Sequence, residues 1–118
     1  MPLVRRCFAV DLHDDPEAIA AYRKWHEPGG PPPAVNAAIR ADGVEALEIW
    51  WVGDRLFMIL EQDPDRAPKP EVKRVRDAAD PEVAAWDALM AGFQKSLPCA
   101  PGQTWVDMQR IYSLADQP

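Results

Sequence analysis

The sequence predicts an α+β fold: a four-stranded antiparallel sheet with helices on one face. Three observations carry this. Val4 to Leu12, Ala46 to Val52 and Arg55 to Glu61 read as strands, the first by strict alternation and the others by β-rich runs. The stretches after Asp15 and Asp80 pair a helix start signal with apolar residues at helical spacing. The strands and helices alternate along 118 residues, a length suited to one domain of about 100–150 residues. Residues 1–118 are therefore expected to form a single domain.

Each element has its own warrant. In the first strand Val4, Arg6, Phe8, Val10 and Leu12 share one side. Asp15 is placed to cap the helix that follows, and Pro16 fits its first turn, where a missing N–H costs nothing. Ile19, Tyr22, Arg23 and His26 form the face of that helix, which must stop by Pro28-Gly29-Gly30. A second helix fits from about Ala34 to Asp42, with Gly43 terminating it. Gly53-Asp54 between two β-rich runs predicts a hairpin. Its first strand sets Leu47, Ile49 and Trp51 opposite in face to Glu48 and Trp50. Leu56 to Leu60 is apolar throughout, as for a central strand covered on both faces.

Asp63 to Pro70 reads as a loop and Glu71 to Ala79 as a short, irregular helix. Asp80-Pro81-Glu82 starts another helix, with Val83, Trp86, Leu89, Met90 and Phe93 on one face, ending before Pro98. Thr104 to Leu114 alternates as a last strand. Without the short second helix the order is β-α-β-β-α-β, the ferredoxin-like split βαβ pattern. Such a sheet leaves one face bare, and a symmetric dimer is the economical way to cover it.

Composition narrows the function. The net charge is −6, with 13 basic against 19 acidic residues. Nucleic-acid binding and polybasic membrane anchoring both need a basic footprint, so neither is expected. No stretch approaches the roughly 18 apolar residues of a membrane span. Met1 to Cys7 is followed by Asp11, Asp14 and Asp15 rather than an apolar run, so no secretory signal is expected and the cytoplasm is the default. Two distant cysteines, Cys7 and Cys99, and two histidines supply neither a disulfide framework nor a zinc site, so no metal or cofactor is expected.

Tyr22 and His26 lie one helical turn apart and are neighbours. Imidazole can give and take a proton near neutral pH, and a phenol can hold a substrate hydroxyl. The same pair also suits a half-buried amphipathic face. Five tryptophans, Trp25, Trp50, Trp51, Trp86 and Trp105, suit either core packing or stacking on the C–H face of a sugar. Glu61 closes the most apolar strand and Asp87 abuts Trp86, which makes these the carboxylates to watch as a general base.

Together these residues resemble the L-rhamnose mutarotase family, most closely its L-fucose mutarotase-like branch. The resemblance covers nearly the whole chain. It rests on Arg6-Cys7-Phe8-Ala9-Val10-Asp11-Leu12, Tyr22-x-x-x-His26, Gly43 before Glu48-Ile49-Trp50, and Gly53 through Glu61. It continues with Asp77-Ala78-Ala79-Asp80-Pro81, Trp86-x-x-Leu89-Met90, Phe93-Gln94, Leu97-Pro98, Pro101-Gly102 and Trp105-x-x-Met108.

The resemblance implies a dimeric α+β barrel protein that interconverts the α and β anomers of a 6-deoxy hexose such as L-fucose or L-rhamnose. It implies His26 as proton donor, with Tyr22 and Trp86 contacting the sugar. The general base is open between Asp87 and Glu61. Gly30 and Pro32 stand where the rhamnose enzymes carry Trp and Glu, Leu47 where they carry a substrate-contacting Tyr, and Asp87 where they carry a second Trp. These departures bear on which sugar is taken. Two other readings suit the same residues: a small dimeric α+β barrel oxygenase for an aromatic or haem-like substrate, and a non-catalytic sugar-binding relative.

Overall fold

The computed structural model describes residues 2–118. Along the chain run β1 (Val4–Leu12), α1 (Pro16–Trp25), α2 (Pro33–Ala41), β2 (Val44–Val52), β3 (Arg55–Gln62), α3 (Pro70–Ala79), α4 (Pro81–Phe93), β4 (Gln94–Lys95) and β5 (Val106–Asp107). A 3₁₀ turn, Leu114–Asp116, follows. The expected start signals operate. The Asp15 carboxylate accepts from the Glu17 N–H at 3.1 Å, and that of Asp80 from the Glu82 and Val83 N–H groups at 3.0 and 3.3 Å. Each such cap contributes about 1 kcal/mol. All four helices carry proline in the first turn. Residues 70–79 form a regular helix of 10 residues, where the sequence suggested an irregular one.

The sheet is antiparallel throughout, in the order β2-β3-β1, with β4 and β5 both pairing the free edge of β1. β4 meets Asp11 and Leu12, and β5 meets Phe8 and Ala9. The fourth position of the expected four-stranded sheet is thus split between two short segments. The predicted strand from Thr104 to Leu114 is corrected to Val106–Asp107. The Met108 N–H still donates to the Cys7 carbonyl at 2.8 Å, and then the chain leaves the edge. Continuing the Phe8–Asp107 register would set Arg110 directly opposite Arg5, and like charges so placed are unfavourable. Arg6 instead pairs with the Asp107 carboxylate at 2.9 Å. The segment Gln94–Lys95 was not anticipated, because two residues carry no readable period.

One face of the sheet carries the helices. Val10, Leu12 and Leu56 pack against Ile19 and Tyr22 of α1 and Met90 of α4, with Ile49, Trp86, Leu89, Phe93 and Trp105 around them. The other face carries Trp50, Phe57 and Ile59, in register across β2 and β3 with their neighbours. Phe57 and Ile59 are only half-buried and Trp50 is 60% exposed. The expectation that β3 is covered on both faces thus holds on the helix side alone.

A buried ionic cluster ties α3 to the end of α2. The Arg76 guanidinium donates to both oxygens of Asp42, at 2.6 and 3.1 Å, and to Asp77 at 2.9 Å. Lys73 adds a further hydrogen bond to Asp77. Asp42 and Asp77 are both buried, so the pairing answers the cost of desolvating two carboxylates. Beside it Gly43 has φ +83°, and a Cβ there would stand 2.7 Å from the Cβ of Arg66, so the chain needs glycine at this bend.

Candidate active site

The site lies between the helix-bearing face of the sheet and helices α1, α2 and α4. A cavity of about 440 Å³ there is lined by Tyr22, His26, Leu47, Trp86 and Asp87, among others. The fold therefore gathers five of the six residues singled out from the sequence. Glu61 does not join them. It points to the opposite face of the sheet, where its carboxylate accepts from Arg5 at 3.1 Å. The strand period decides this: Leu60 and Gln62 face the helices, so the residue between them cannot.

His26 caps the C-terminus of α1. Its Nδ1 lies 2.7 Å from the backbone carbonyl of Tyr22. A carbonyl can only accept, so Nδ1 carries a proton and donates it there. That fixes the tautomer of the neutral ring and leaves Nε2 as its exchangeable nitrogen. The imidazole is also packed between aromatics. Its centroid is 4.3 Å from the Tyr22 ring and 5.5 Å from that of Trp86. Trp86 is braced in turn by Trp25, edge-on at 6.2 Å.

Tyr22 is buried, 3% exposed, and its ring meets Phe93 edge-on at 5.6 Å. Burial raises its phenol above the usual value, and a hydrogen bond with Gln94 offsets part of that rise. The hydroxyl is therefore kept protonated across the neutral range and available as a donor. Asp87 sits at the cavity mouth on α4, largely exposed. Its carboxyl is raised, first by partial desolvation and then by the charge of Asp77.

Asn36 of α2, Gln94 of β4 and Thr104 also line the cavity. They add uncharged amides and a hydroxyl, groups suited to sugar hydroxyls. No sequence signal pointed to Asn36 as a site residue. It stands between Val35 and two alanines and reads as ordinary helix surface. Pro31 also lines the cavity, so the Pro-Gly loop after His26 forms part of its wall. Gly30 in that loop is enclosed: a Cβ there would stand 2.0 Å from the Trp25 carbonyl oxygen. Trp50 lies on the far face, and Trp51 turns toward α1 with Arg23 over its ring at 4.5 Å. Among the described residues, no group of three or more His, Cys, Asp and Glu is placed to hold a metal ion.

The profile of the L-rhamnose mutarotase family matches residues 5–114. The chain belongs to the L-rhamnose mutarotase family. It is 44% identical over 117 residues to an L-fucose mutarotase of Xanthomonas campestris pv. campestris, a match spanning 98% of this chain and 92% of that protein. It is 32% identical over 110 residues to a UPF0734 protein of Dictyostelium discoideum, covering 90% of this chain and 86% of that one. A crystal structure of an L-rhamnose mutarotase from Formosa agariphila superposes with a TM-score of 0.65 at 18% identity, over 94% of this chain and 98% of that one. That likeness supports the fold. The family places the chain among carbohydrate isomerases, and the protein is a sugar mutarotase. No helix among the described residues of this mutarotase is long and apolar enough to cross a membrane.

Proposed function

We propose that this mutarotase interconverts the α and β anomers of a 6-deoxy hexose, with L-fucose the first sugar to try, and that His26 is its proton donor. The observation that carries the reading is the His26 ring, held through Nδ1 by the Tyr22 carbonyl in the wall of a cavity sized for a small ligand.

Anomer exchange requires the bond between the anomeric carbon and the ring oxygen to break. With Nδ1–H held by the Tyr22 carbonyl, His26 acts as the imidazolium: its Nε2 proton passes to the ring oxygen, leaving the neutral ring, as a base removes the proton of the anomeric hydroxyl. The electron pair of that O–H bond becomes the aldehyde carbonyl, and the C–O bond pair stays with the former ring oxygen. The open chain rotates about its first carbon–carbon bond, and the steps reverse to close the other anomer. No electron or group is transferred overall, so side chains suffice. We assign the base to Asp87, whose raised carboxyl is a stronger proton acceptor than an ordinary one. Glu61 is on the wrong face. Tyr22 donates to a sugar hydroxyl and Trp86 offers its ring to the C–H face.

We further propose that the chain works as a cytoplasmic homodimer of one domain. The bare sheet face with Trp50 and Val52, 60% and 63% exposed, supports a second copy as its cover. Saturation transfer between anomeric protons, run with L-fucose, L-rhamnose, D-galactose and D-glucose, tests the activity. Faster exchange for the 6-deoxy sugars supports it. No acceleration of any sugar by folded protein refutes it.

A further inference from the structure

The cavity that holds His26 has two distinguishable ends. Leu47, Trp86 and Asp87 stand in a wall shared with a neighbouring cavity, whereas Ile49, Met90 and Ala91 line the His26 cavity alone. Chain geometry gives the spacing. Ala91 follows Asp87 by one turn of α4, a rise of about 6 Å. Ile49 follows Leu47 by two residues of β2 on the same face, again about 6–7 Å. One pyranose ring fills such a step. β2 and β3 contribute only apolar side chains to the cavity, Leu47, Ile49 and Met58, with Ile49 directly opposite Met58 in register. The polar groups come from the helices, β4 and the loop before β5.

The proposed chemistry fixes how a sugar lies there. Its anomeric hydroxyl faces Asp87 and its ring oxygen faces His26, whose ring stands 5.5 Å from that of Trp86, next to Asp87 in sequence. Acid and base therefore act at the end with the shared wall. The ring oxygen is bonded to C1 and C5 alone. The substituent on C5 thus projects past His26 and away from Asp87, toward the step where the sheet presents Ile49. Ile49 is half-buried and packs against the core cluster that contains Met90. A methyl group placed there gains apolar contact. A hydroxymethyl group buries a hydroxyl against side chains that can neither donate nor accept, and an unpaired buried hydroxyl is costly.

Resting on the proposed function, we infer that Ile49 is the residue that selects 6-deoxy sugars over their 6-hydroxy counterparts: with Met90 it seats the C6 methyl group on the floor of the cavity. Ile49 touches no reacting atom. It acts on the choice of sugar and leaves the proton transfers at His26 and Asp87 as they are.

The test is exchange between pyranose anomers of L-fucose, L-galactose and D-arabinose. These differ only in what C5 carries: a methyl, a hydroxymethyl or a hydrogen. The proteins are the wild type, Ile49→Val and Ile49→Thr, two variants of one shape that differ by a methyl against a hydroxyl. The wild type should favour L-fucose over L-galactose by about 10²-fold, the limit for an apolar pocket rejecting an added hydroxyl. Ile49→Val should keep that ratio within about twofold and Ile49→Thr should lower it by about tenfold. A general disturbance of the fold slows every sugar and leaves the ratio in place. Equal acceleration of L-fucose and L-galactose by the wild type overturns the inference, and so do equal ratios in the two variants. If Ile49→Thr does not fold, D-arabinose decides. Ile49→Val should lower the L-fucose to D-arabinose ratio roughly fourfold, the worth of one buried methylene, and an unchanged ratio overturns the inference. Acceleration of none of the three sugars refutes the proposed L-fucose activity itself, which separates that failure from a failure of the Ile49 assignment.

Discussion

The His26 imidazole is anchored by the backbone of Tyr22, at 2.7 Å, rather than by a carboxylate. The anchor is one helical turn away on the same helix, so the position of the ring is set by α1 itself. The arrangement needs no acidic partner and does not depend on the side chain at position 22. Tyr22→Phe should therefore keep His26 in place and lose only the hydroxyl. We expect kcat/KM to fall about tenfold, the cost of one hydrogen bond to substrate. The His26 ring should keep its hydrogen bond to the carbonyl of residue 22 in that variant, read from the Nδ1 proton by NMR.

Asp87→Asn separates the base from the acid. The Asp87 carboxyl is raised by partial burial and by Asp77, so its deprotonated form is lost on acidification at a pH above the ordinary value of about 3.9. The wild-type pH profile of kcat/KM should show an acid limb above that value. In Asp87→Asn the rate should fall by about 10²-fold or more, and that limb should disappear. A limb unchanged in the variant assigns it to another group.

Gly30→Ala probes the loop after His26. The added methyl collides with the Trp25 carbonyl, and Trp25 braces Trp86 across the cavity wall. We expect a loss of about 1–3 kcal/mol in stability together with lower activity. Gly92→Ala, in α4 with open space around it, should be neutral or stabilising by up to about 1 kcal/mol. Urea denaturation of the two variants side by side checks the contrast.

Arg76→Ala leaves Asp42 buried without its main partner and Asp77 with Lys73 alone. Removing one member of a buried ion pair costs about 3–5 kcal/mol, and the partial exposure of Arg76 places the expected loss near the lower end. The same cluster predicts a pH effect. Burial alone would raise the Asp77 carboxyl, but the hydrogen bonds from Lys73 and Arg76 outweigh it and hold it below the usual value. A carboxylate lowered in the folded state adds stability above its unfolded value of about 3.9, lost as the pH falls through the folded value. Melting temperature should thus fall less steeply below pH 5 in Asp77→Asn than in the wild type.

Much of this arrangement was legible in the sequence, for identifiable reasons. The spacing of Tyr22 and His26 placed both on one face, and the Asp15 and Asp80 caps fixed where two helices begin. Trp86 was singled out as core or pocket wall and Asp87 as the carboxylate beside it, Leu47 came from the family resemblance, and the fold brings all three to one cavity. Glu61 was misdirected because an apolar run has no period to reveal its face. Asn36 and Gln94 stayed hidden because their roles depend on α2 and β4 closing over the sheet. The last strand was overextended because alternation records a side-chain period and not whether a partner strand is there.

The central claim is that His26 breaks and remakes the hemiacetal ring. Saturation transfer between the anomeric protons of L-fucose, in the presence of wild-type protein and of His26→Ala at equal concentration, tests it most directly. Circular dichroism on the same samples establishes that both are folded. The account predicts clear acceleration by the wild type and a loss of about 10²–10⁴-fold in the variant. Equal acceleration by both folded proteins would contradict it.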